Sequence, residues 1–208
     1  MINHGDLRKI IELAIYAPSG ENCQPWRFEV RGDEIDIFNI PERDQSPYNF
    51  DQRGSLVAHG TLIENVLIAS STSGYKTKLD IFPEAHDRNL VARIVFEKSS
   101  TKEEPLYPYI KIRCTNRKPY KKDIKLTPEQ KSEILASANE VGEGAVKLTE
   151  DPHEIGALAK VGSMNERLVF ENPHLHNFLF THINWTKHEE MKKRLGFYIK
   201  TLEIPEKA

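Results

Sequence analysis

Cysteine is scarce: the 208 residues hold two, Cys23 and Cys114, far apart in the chain. Two cysteines cannot build a disulfide framework, and no Cys/His spacing of a zinc site occurs. A single Cys23–Cys114 bridge stays open, but reduced thiols are the expectation for a cytosolic protein. Long apolar runs are missing as well. No stretch of about eighteen apolar residues exists, so no membrane span is expected. The opening MINHGDLRKIIELAIY lacks the compact apolar block and small-residue cleavage site of a signal peptide. A cytoplasmic location is the default expectation. Excess charge is also lacking: 29 Lys and Arg against 31 Asp and Glu give a net charge of -2. That offers no bulk attraction to nucleic acid or to an anionic membrane, and neither is expected as a partner. With no Gly-x-Gly-x-x-Gly and no Walker-type loop, a Rossmann or P-loop nucleotide site is unsupported.

What is present reads as alternating helices and strands. The length suits one sizeable core or two small ones. Asp6 can cap a first helix carrying Leu7, Ile10, Ile11 and Ala14 on one face, which Pro18 ends near Ala17. Trp26, Phe28 and Val30 alternate with charged residues, as do Ile35 and Ile37. Arg31-Gly32-Asp33 between them predicts a hairpin turn. IPERDQSPYNFDQRG reads as a loop. SLVAHGTLIENVLIASSTSGY reads as a helix apolar on most sides, stopped by Gly74, and such a helix belongs at the centre of a fold or at a dimer interface. KLDIF and NLVARIVFE are strand candidates, and SSTKEEP is a polar break. Thr127, Pro128 and Gln130 form a helix start with a capping box, followed by an apolar face of Ile134, Leu135 and Ala138. AVKLTED predicts a short strand. Residues 151–195 are mainly helical with a break at Asn172-Pro173, and the tail GFYIKTLEIPEKA reads as extended, without a helix. The order helix, connection, strand occurs twice, a weak internal repeat.

Two segments concentrate chemistry. In APSGENCQPWRFEV, Gly20 permits close backbone approach, Ser19 offers a hydroxyl, and Asn22 and Gln24 offer carboxamides that both donate and accept. Such groups match the alternating acceptor–donor–acceptor edge of a flavin pyrimidine, with Trp26 fixing the loop from the core side. The same residues also suit an ordinary turn. In RCTNRKPY, Arg113 and Arg117 flank Thr115 ahead of the capped helix. Guanidinium groups and a hydroxyl fit a terminal phosphate, and they equally fit a solvated turn.

Together the two segments carry a resemblance. LAIYAPSGENCQPWRFEV resembles the Pro-Ser-x-x-Asn-x-Gln-Pro-Trp signature of the nitroreductase family of FMN-dependent oxidoreductases. RCTNRKPYKKDIKLTPEQKSEIL resembles the basic cluster and capped helix that open an ordinary family chain, and DQRGSLVAHGTLIENVLIASSTSGYKTKLDIFPE resembles the family's central helix and following strand. The order matches a branch with two half-related units in one chain. The resemblance covers about residues 6–140 well and the rest loosely. It implies an α+β, nitroreductase-like fold: a mixed, mainly antiparallel sheet flanked by helices around a buried central helix. It treats 1–208 as one domain with a possible pseudo-repeat, 1–104 and 105–208. It implies FMN as cofactor, with Arg113, Thr115 and Arg117 toward the phosphate and ribityl chain and Pro18, Ser19, Gly20 and Asn22 at the flavin. It implies NAD(P)H as electron donor, ping-pong hydride transfer to a nitroaromatic, quinone-like or related small-molecule acceptor, and a homodimer. No side chain is required as a catalytic nucleophile. A flavin-binding or flavin-sequestering protein without turnover is the alternative.

Two features depart from that pattern. ASANEVGEGAVKL stands where a second Pro-Ser loop would be, so a second flavin site is not expected to be complete. A late basic group near the phosphate has no counterpart, and the end at Ala208 suggests a shortened chain or a fragment. The remaining motifs read as structural. His174, His176, His182 and His188 lack ligand spacing on a helix, so no metal is expected. His59 reads as a hydrogen-bonded core histidine, and Cys23 as a buried, inert thiol.

Overall fold

The computed structural model describes residues 1–101, 104–118, 121, 124–140 and 145–203. Within the segments read above, residues 102–103 of the polar break, 119–120 and 122–123 after the basic cluster, 141–144 of the second connection and 204–208 of the tail lie outside the described residues. The chain divides into two compact units, one formed by Met1–Asn116 with the segment from His182 onward, the other by Arg117–Thr181.

In the first unit, α1 (His4–Ala14) is capped by Asn3 rather than Asp6. The Asn3 Oδ1 accepts from the Asp6 main-chain N–H at 2.9 Å, while its Nδ2 donates to the Asp6 carboxylate at 2.7 Å. Asp6 is an acidic first-turn residue instead, favourable near the positive end of the helix dipole. The predicted hairpin forms between β1 (Trp26–Arg31) and β2 (Glu34–Asn39), with Arg31 opposite Glu34. Gly32 turns it at φ 59°, a conformation open to glycine at little cost. The central helix is α2 (Arg53–Thr72), and Gly74, at φ 82°, follows its end. β3 (Tyr75–Ile81) and β4 (Leu90–Lys98) complete an antiparallel sheet in the order β1-β2-β4-β3.

α1 and α2 cover one face of this sheet. Leu7, Ile10 and Ala14 of α1 and Ala58, Leu62, Val66 and Ala69 of α2 join Trp26, Ile35, Ile37, Ala92, Ile94 and Phe96 in one core. Removal of this apolar surface from water is the main stabilising term, about 1.5–3 kcal/mol for each fully buried large aliphatic side chain. The other sheet face is held by charge. Asp36 and Arg93 stand opposite each other on β2 and β4, and the guanidinium reaches both carboxylate oxygens, at 2.7 and 3.1 Å.

The first unit also contains β5 (Ile183–Asn184), α6 (Lys187–Lys193) and β6 (Phe197–Tyr198), the two short strands pairing in parallel. The tail is not simply extended: a 3-10 turn spans Ile199–Leu202. The architecture is thus α+β, with an antiparallel four-stranded sheet and one small parallel pair.

The second unit is helical: α3 (Pro128–Glu140), α4 (Pro152–Glu171) and α5 (Pro173–Thr181). The capping box forms as expected, Gln130 N–H to Thr127 Oγ1 at 3.2 Å and Thr127 N–H to Gln130 Oε1 at 3.0 Å. The break between α4 and α5 falls at Asn172. AVKLTED is not a strand. A strand needs a neighbour to satisfy its main-chain groups, and the described part of this unit provides none. Side chains hold the segment instead: Lys131 of α3 pairs with Glu150 at 2.7 Å, and Lys147 pairs with Glu154 of α4 at 3.0 Å. Ile134 and Leu135 stay 40% and 38% exposed, so the expected apolar face of α3 is uncovered within its own unit.

Candidate functional site

The connection from α1 to β1 is a tightly bonded loop. Ser19 Oγ accepts from the Gln24 main-chain N–H at 3.0 Å, Cys23 N–H donates to Gly20 O at 2.8 Å, and Trp26 N–H donates to Gln24 O at 2.8 Å. Glu21, Asn22 and Gln24 all adopt left-handed backbone, at φ 49°, 54° and 48°. Each such non-glycine residue costs about 1 kcal/mol or more and persists only where its surroundings over-determine it. Those surroundings are the neighbouring elements. Thr61 of α2 donates to Pro18 O at 3.3 Å, and Arg43 donates to Gln24 O at 3.1 Å. Trp26 is buried in the core, edge-on to His59 with ring centroids 6.3 Å apart.

Burial shapes the loop's acids. It pushes the Cys23 thiol up to about 12, with the nearby Asp44 carboxylate adding to the effect. Burial also raises the Glu21 carboxyl; His182 opposes that rise and Asp44 reinforces it. His182 Nδ1 lies 3.7 Å from Glu21 Oε2.

The loop faces the segment that follows α6. Gln24 Nε2 donates to the main-chain carbonyl of Arg194 at 2.8 Å, and Asn22 Nδ2 reaches the same oxygen at 3.4 Å. Gln24 Nε2 also donates to Asn22 Oδ1 at 3.3 Å. The carboxamide donors expected to meet a ligand are therefore turned toward the chain's own carbonyl. Ser19 and Pro18 are half-buried, and Gly20 is exposed.

The basic cluster divides. Arg113 is exposed, and its Nη2 donates to Tyr16 O at 3.2 Å, which brings the guanidinium to the end of α1 just before Pro18. Thr115 is exposed in the same unit. Arg117, also exposed, opens the second unit. Beside Tyr16 lies a cavity of about 430 Å³ lined by Lys9, Glu12, Leu13, Ile15, Tyr16, Tyr107 and Lys111. The sequence reading missed Lys9 and Lys111, because isolated lysines on a helix and in a loop carry no local signal. A second cavity, also of about 430 Å³, is lined by Asn39, Asp51, Gln52, Leu56, Phe82 and Arg88, none of them a sequence candidate. Asn39 Oδ1, on its wall, is buried without a hydrogen-bond partner among the described residues.

His59 is fully buried, its Nδ1 2.8 Å from Ser55 O and its Nε2 3.4 Å from Phe38 O, which is the core role its sequence context indicates. Cys23 and Cys114 are both free thiols. His176 stacks on Phe180 with ring centroids 4.2 Å apart. Among the described residues no helix is long and apolar enough to cross a membrane.

No family model matches the chain. Among curated proteins, a proposed NAD(P)H nitroreductase of Mycobacterium tuberculosis is 30% identical over 88 residues, covering 42% of this chain and 26% of its own length. An uncharacterised protein of the same species is 24% identical over 196 residues, 94% of this chain and 27% of its own length. The chain thus spans about a quarter of the length of these relatives, 26% and 27%. Among solved structures, a proposed nitroreductase from Desulfovibrio desulfuricans in complex with FMN is 19% identical, with a TM-score of 0.38 over 52% of this chain and 83% of that one. A proposed NADH oxidase from Clostridium acetobutylicum is 15% identical, with a TM-score of 0.41 over 49% of this chain and 80% of that one. Scores this low carry no argument about chemistry. By sequence, the chain is similar over 88 residues, 42% of its length, to proposed NAD(P)H nitroreductases.

Proposed function

We propose that the chain is a flavin oxidoreductase unit that holds FMN between the Pro18 loop and the basic cluster, and that it acts as an NAD(P)H-dependent reductase of nitroaromatic, quinone-like or related acceptors. One observation carries the reading: the Arg113 guanidinium bonds to Tyr16 O, next to Pro18, so the two sequence candidates meet within one unit. The donor set suits FMN. Arg113 spends one N–H on Tyr16 and has others for a phosphate, and the exposed Thr115 hydroxyl adds a neutral donor. Arg117 belongs to the second unit, so its part in phosphate binding rests on the sequence alone. Pro18, Ser19, Gly20 and Asn22 would form the wall against the ring, with Gly20 leaving room for close approach.

FMN, when bound, supplies the hydride chemistry, taking two electrons from NAD(P)H and releasing them to the acceptor. The chain's own work is binding and orientation. The strained loop keeps its polar groups fixed, and the Cys23 thiol, pushed up to about 12, stays protonated and takes no part as a nucleophile. A homodimer belongs to the same proposal. A flavin-binding role without turnover is the second reading, favoured by the engagement of Asn22 and Gln24 with Arg194 O, which covers that side of the loop.

The test is an absorption spectrum after incubation with excess FMN and desalting, followed by anaerobic NADPH. Retained flavin that bleaches supports the reductase, and retained flavin that persists supports the binding protein. A colourless protein would sink both.

A further inference from the structure

Arg194 touches the Pro18 loop only through a main-chain atom in the contacts described above, and that contact fixes which way two side-chain amides point. Both N–H bonds of the Gln24 amide are occupied, one by Arg194 O at 2.8 Å and one by Asn22 Oδ1 at 3.3 Å. Asn22 in turn directs its own NH2 to Arg194 O at 3.4 Å. A carboxamide can be turned over at little cost, so its orientation is decided by its partners. Here a carbonyl oxygen, which can only accept, draws in the NH2 groups of both residues. What Gln24 has left is an acceptor: among the described residues its Oε1 takes no hydrogen bond.

The carbonyl is delivered by a rigid device. Arg194 itself is left-handed at φ 54°, and Gly196 follows at φ 87°. A Cβ on Gly196 would stand 2.3 Å from His182 O, closer than any real contact. Asn184 Nδ2 donates to Leu195 O at 2.7 Å and to Glu190 Oε2 at 2.8 Å, while Phe197 N–H donates to His182 O at 2.8 Å. These bonds close the β5–α6–β6 segment on itself and hold the Arg194 carbonyl toward the loop.

We propose that Arg194 is a positioning residue, acting through its main-chain carbonyl to set the hydrogen-bonding polarity of the Pro18–Gln24 wall, so that Gln24 presents an acceptor and the wall selects a ligand edge bearing a central N–H donor. For the flavin reading, on which the ligand part of this inference rests, that donor is the N3–H of the pyrimidine ring, which lies between two carbonyl acceptors. A ligand lacking the donor leaves Gln24 Oε1 facing nothing, and an unmet buried or half-buried acceptor is costly.

The device is tested first without any flavin. Side-chain amide hydrogen exchange, followed by NMR, should find the Gln24 NH2 protected in the wild-type protein. Gly196→Ala should abolish that protection by displacing the carbonyl. Gln24→Leu serves as a second variant should Gly196→Ala unfold: it removes both the donor and the acceptor, and it is read by flavin affinity rather than by amide exchange. Arg194→Asn keeps the carbonyl and suits left-handed backbone, so it should keep the protection. An unprotected amide in the wild type, or one indifferent to Gly196→Ala, overturns the inference. The ligand part is read from the dissociation constants of FMN and N3-methyl-FMN. The wild type should prefer FMN by about tenfold or more, the worth of one hydrogen bond left unmade, and Gly196→Ala or Gln24→Leu should bring the ratio toward unity. An equal affinity for the two flavins in the wild type overturns the assignment of the N–H donor. Tighter FMN binding in Gly196→Ala also overturns it, since the segment would then compete with the ligand. A protected amide in a protein that takes up neither flavin supports the positioning device and sinks the flavin reading, so the two failures are separable.

Discussion

Arg113 donates from its Nη2 to the carbonyl of Tyr16 at 3.2 Å, tying the start of the basic cluster to the turn that follows α1. Both partners are exposed, so the bond contributes little to folding and keeps the guanidinium close to the Pro18 loop. Arg113→Ala should therefore weaken FMN binding and leave the melting temperature nearly unchanged. A charge-assisted bond to a phosphate is worth about 1.5–3 kcal/mol, hence roughly a tenfold to hundredfold rise in Kd. Arg113→Lys should recover part of it, because a lysine restores the charge but not the planar pair of donors. Fluorescence titration of FMN against the three proteins reads this directly. Equal affinities would remove Arg113 from the site.

The two cysteines should react very differently. Cys114 is exposed, while Cys23 is buried with its thiol pushed up to about 12. The thiolate is the reactive form. Iodoacetamide near neutral pH should thus label one cysteine of the native protein, Cys114, and both only after denaturation. Peptide mapping by mass spectrometry gives the answer, and rapid labelling of Cys23 in the native state would mean that the loop opens readily.

The features legible in the sequence are those written locally. The Thr127–Gln130 box, the Gly32 turn and the Gly74 stop each depend on a few neighbouring residues, and each forms. The strand pattern of AVKLTED misled because alternation describes an extended segment, while a strand also needs a partner, which depends on distant parts of the chain. The order β1-β2-β4-β3 is likewise set by long-range pairing and leaves no trace in any one segment. The candidate site was half legible. The side chains of the Pro18 loop announced themselves by type, but the group they meet is a carbonyl. Every residue has one, so nothing in the string marks Arg194.

Asp36 and Arg93 provide a stability test away from the loop. Asp36 is 1% exposed and its carboxylate is bonded at both oxygens, while the hydrogen bond to Asp36 chiefly raises the already high Arg93 guanidinium pKa. Asp36→Ala removes both hydrogen bonds to the Arg93 guanidinium and leaves it only the more distant Glu84 carboxylate at 3.5 Å, so its charge is poorly compensated. Asp36→Ala should lower the melting temperature by several degrees, and Asp36→Ala combined with Arg93→Met should lower it less than the first change alone. Thermal denaturation followed by circular dichroism measures both. A double variant less stable than Asp36→Ala would show that Arg93 stabilises the sheet by some route other than this pair.

His59 should make the first unit acid-sensitive. It is fully buried, and burial lowers its pKa below the ordinary 6.5, with the bonds to Ser55 O and Phe38 O opposing part of that shift. In the unfolded chain the imidazole takes up a proton near its ordinary value, while in the fold it remains neutral to lower pH. Between those two values the unfolded state binds more protons, so stability falls as pH drops through about 6.5 and levels off only below the folded value. Above that window the contribution is constant. His59→Gln keeps a donor for Ser55 O but cannot titrate, so it should be less stable near neutrality yet lose less on acidification. Urea denaturation midpoints of both proteins, measured from about pH 8 to about pH 5, should therefore converge toward the acid end. Parallel curves would assign the acid sensitivity to other groups and leave His59 with a packing role alone.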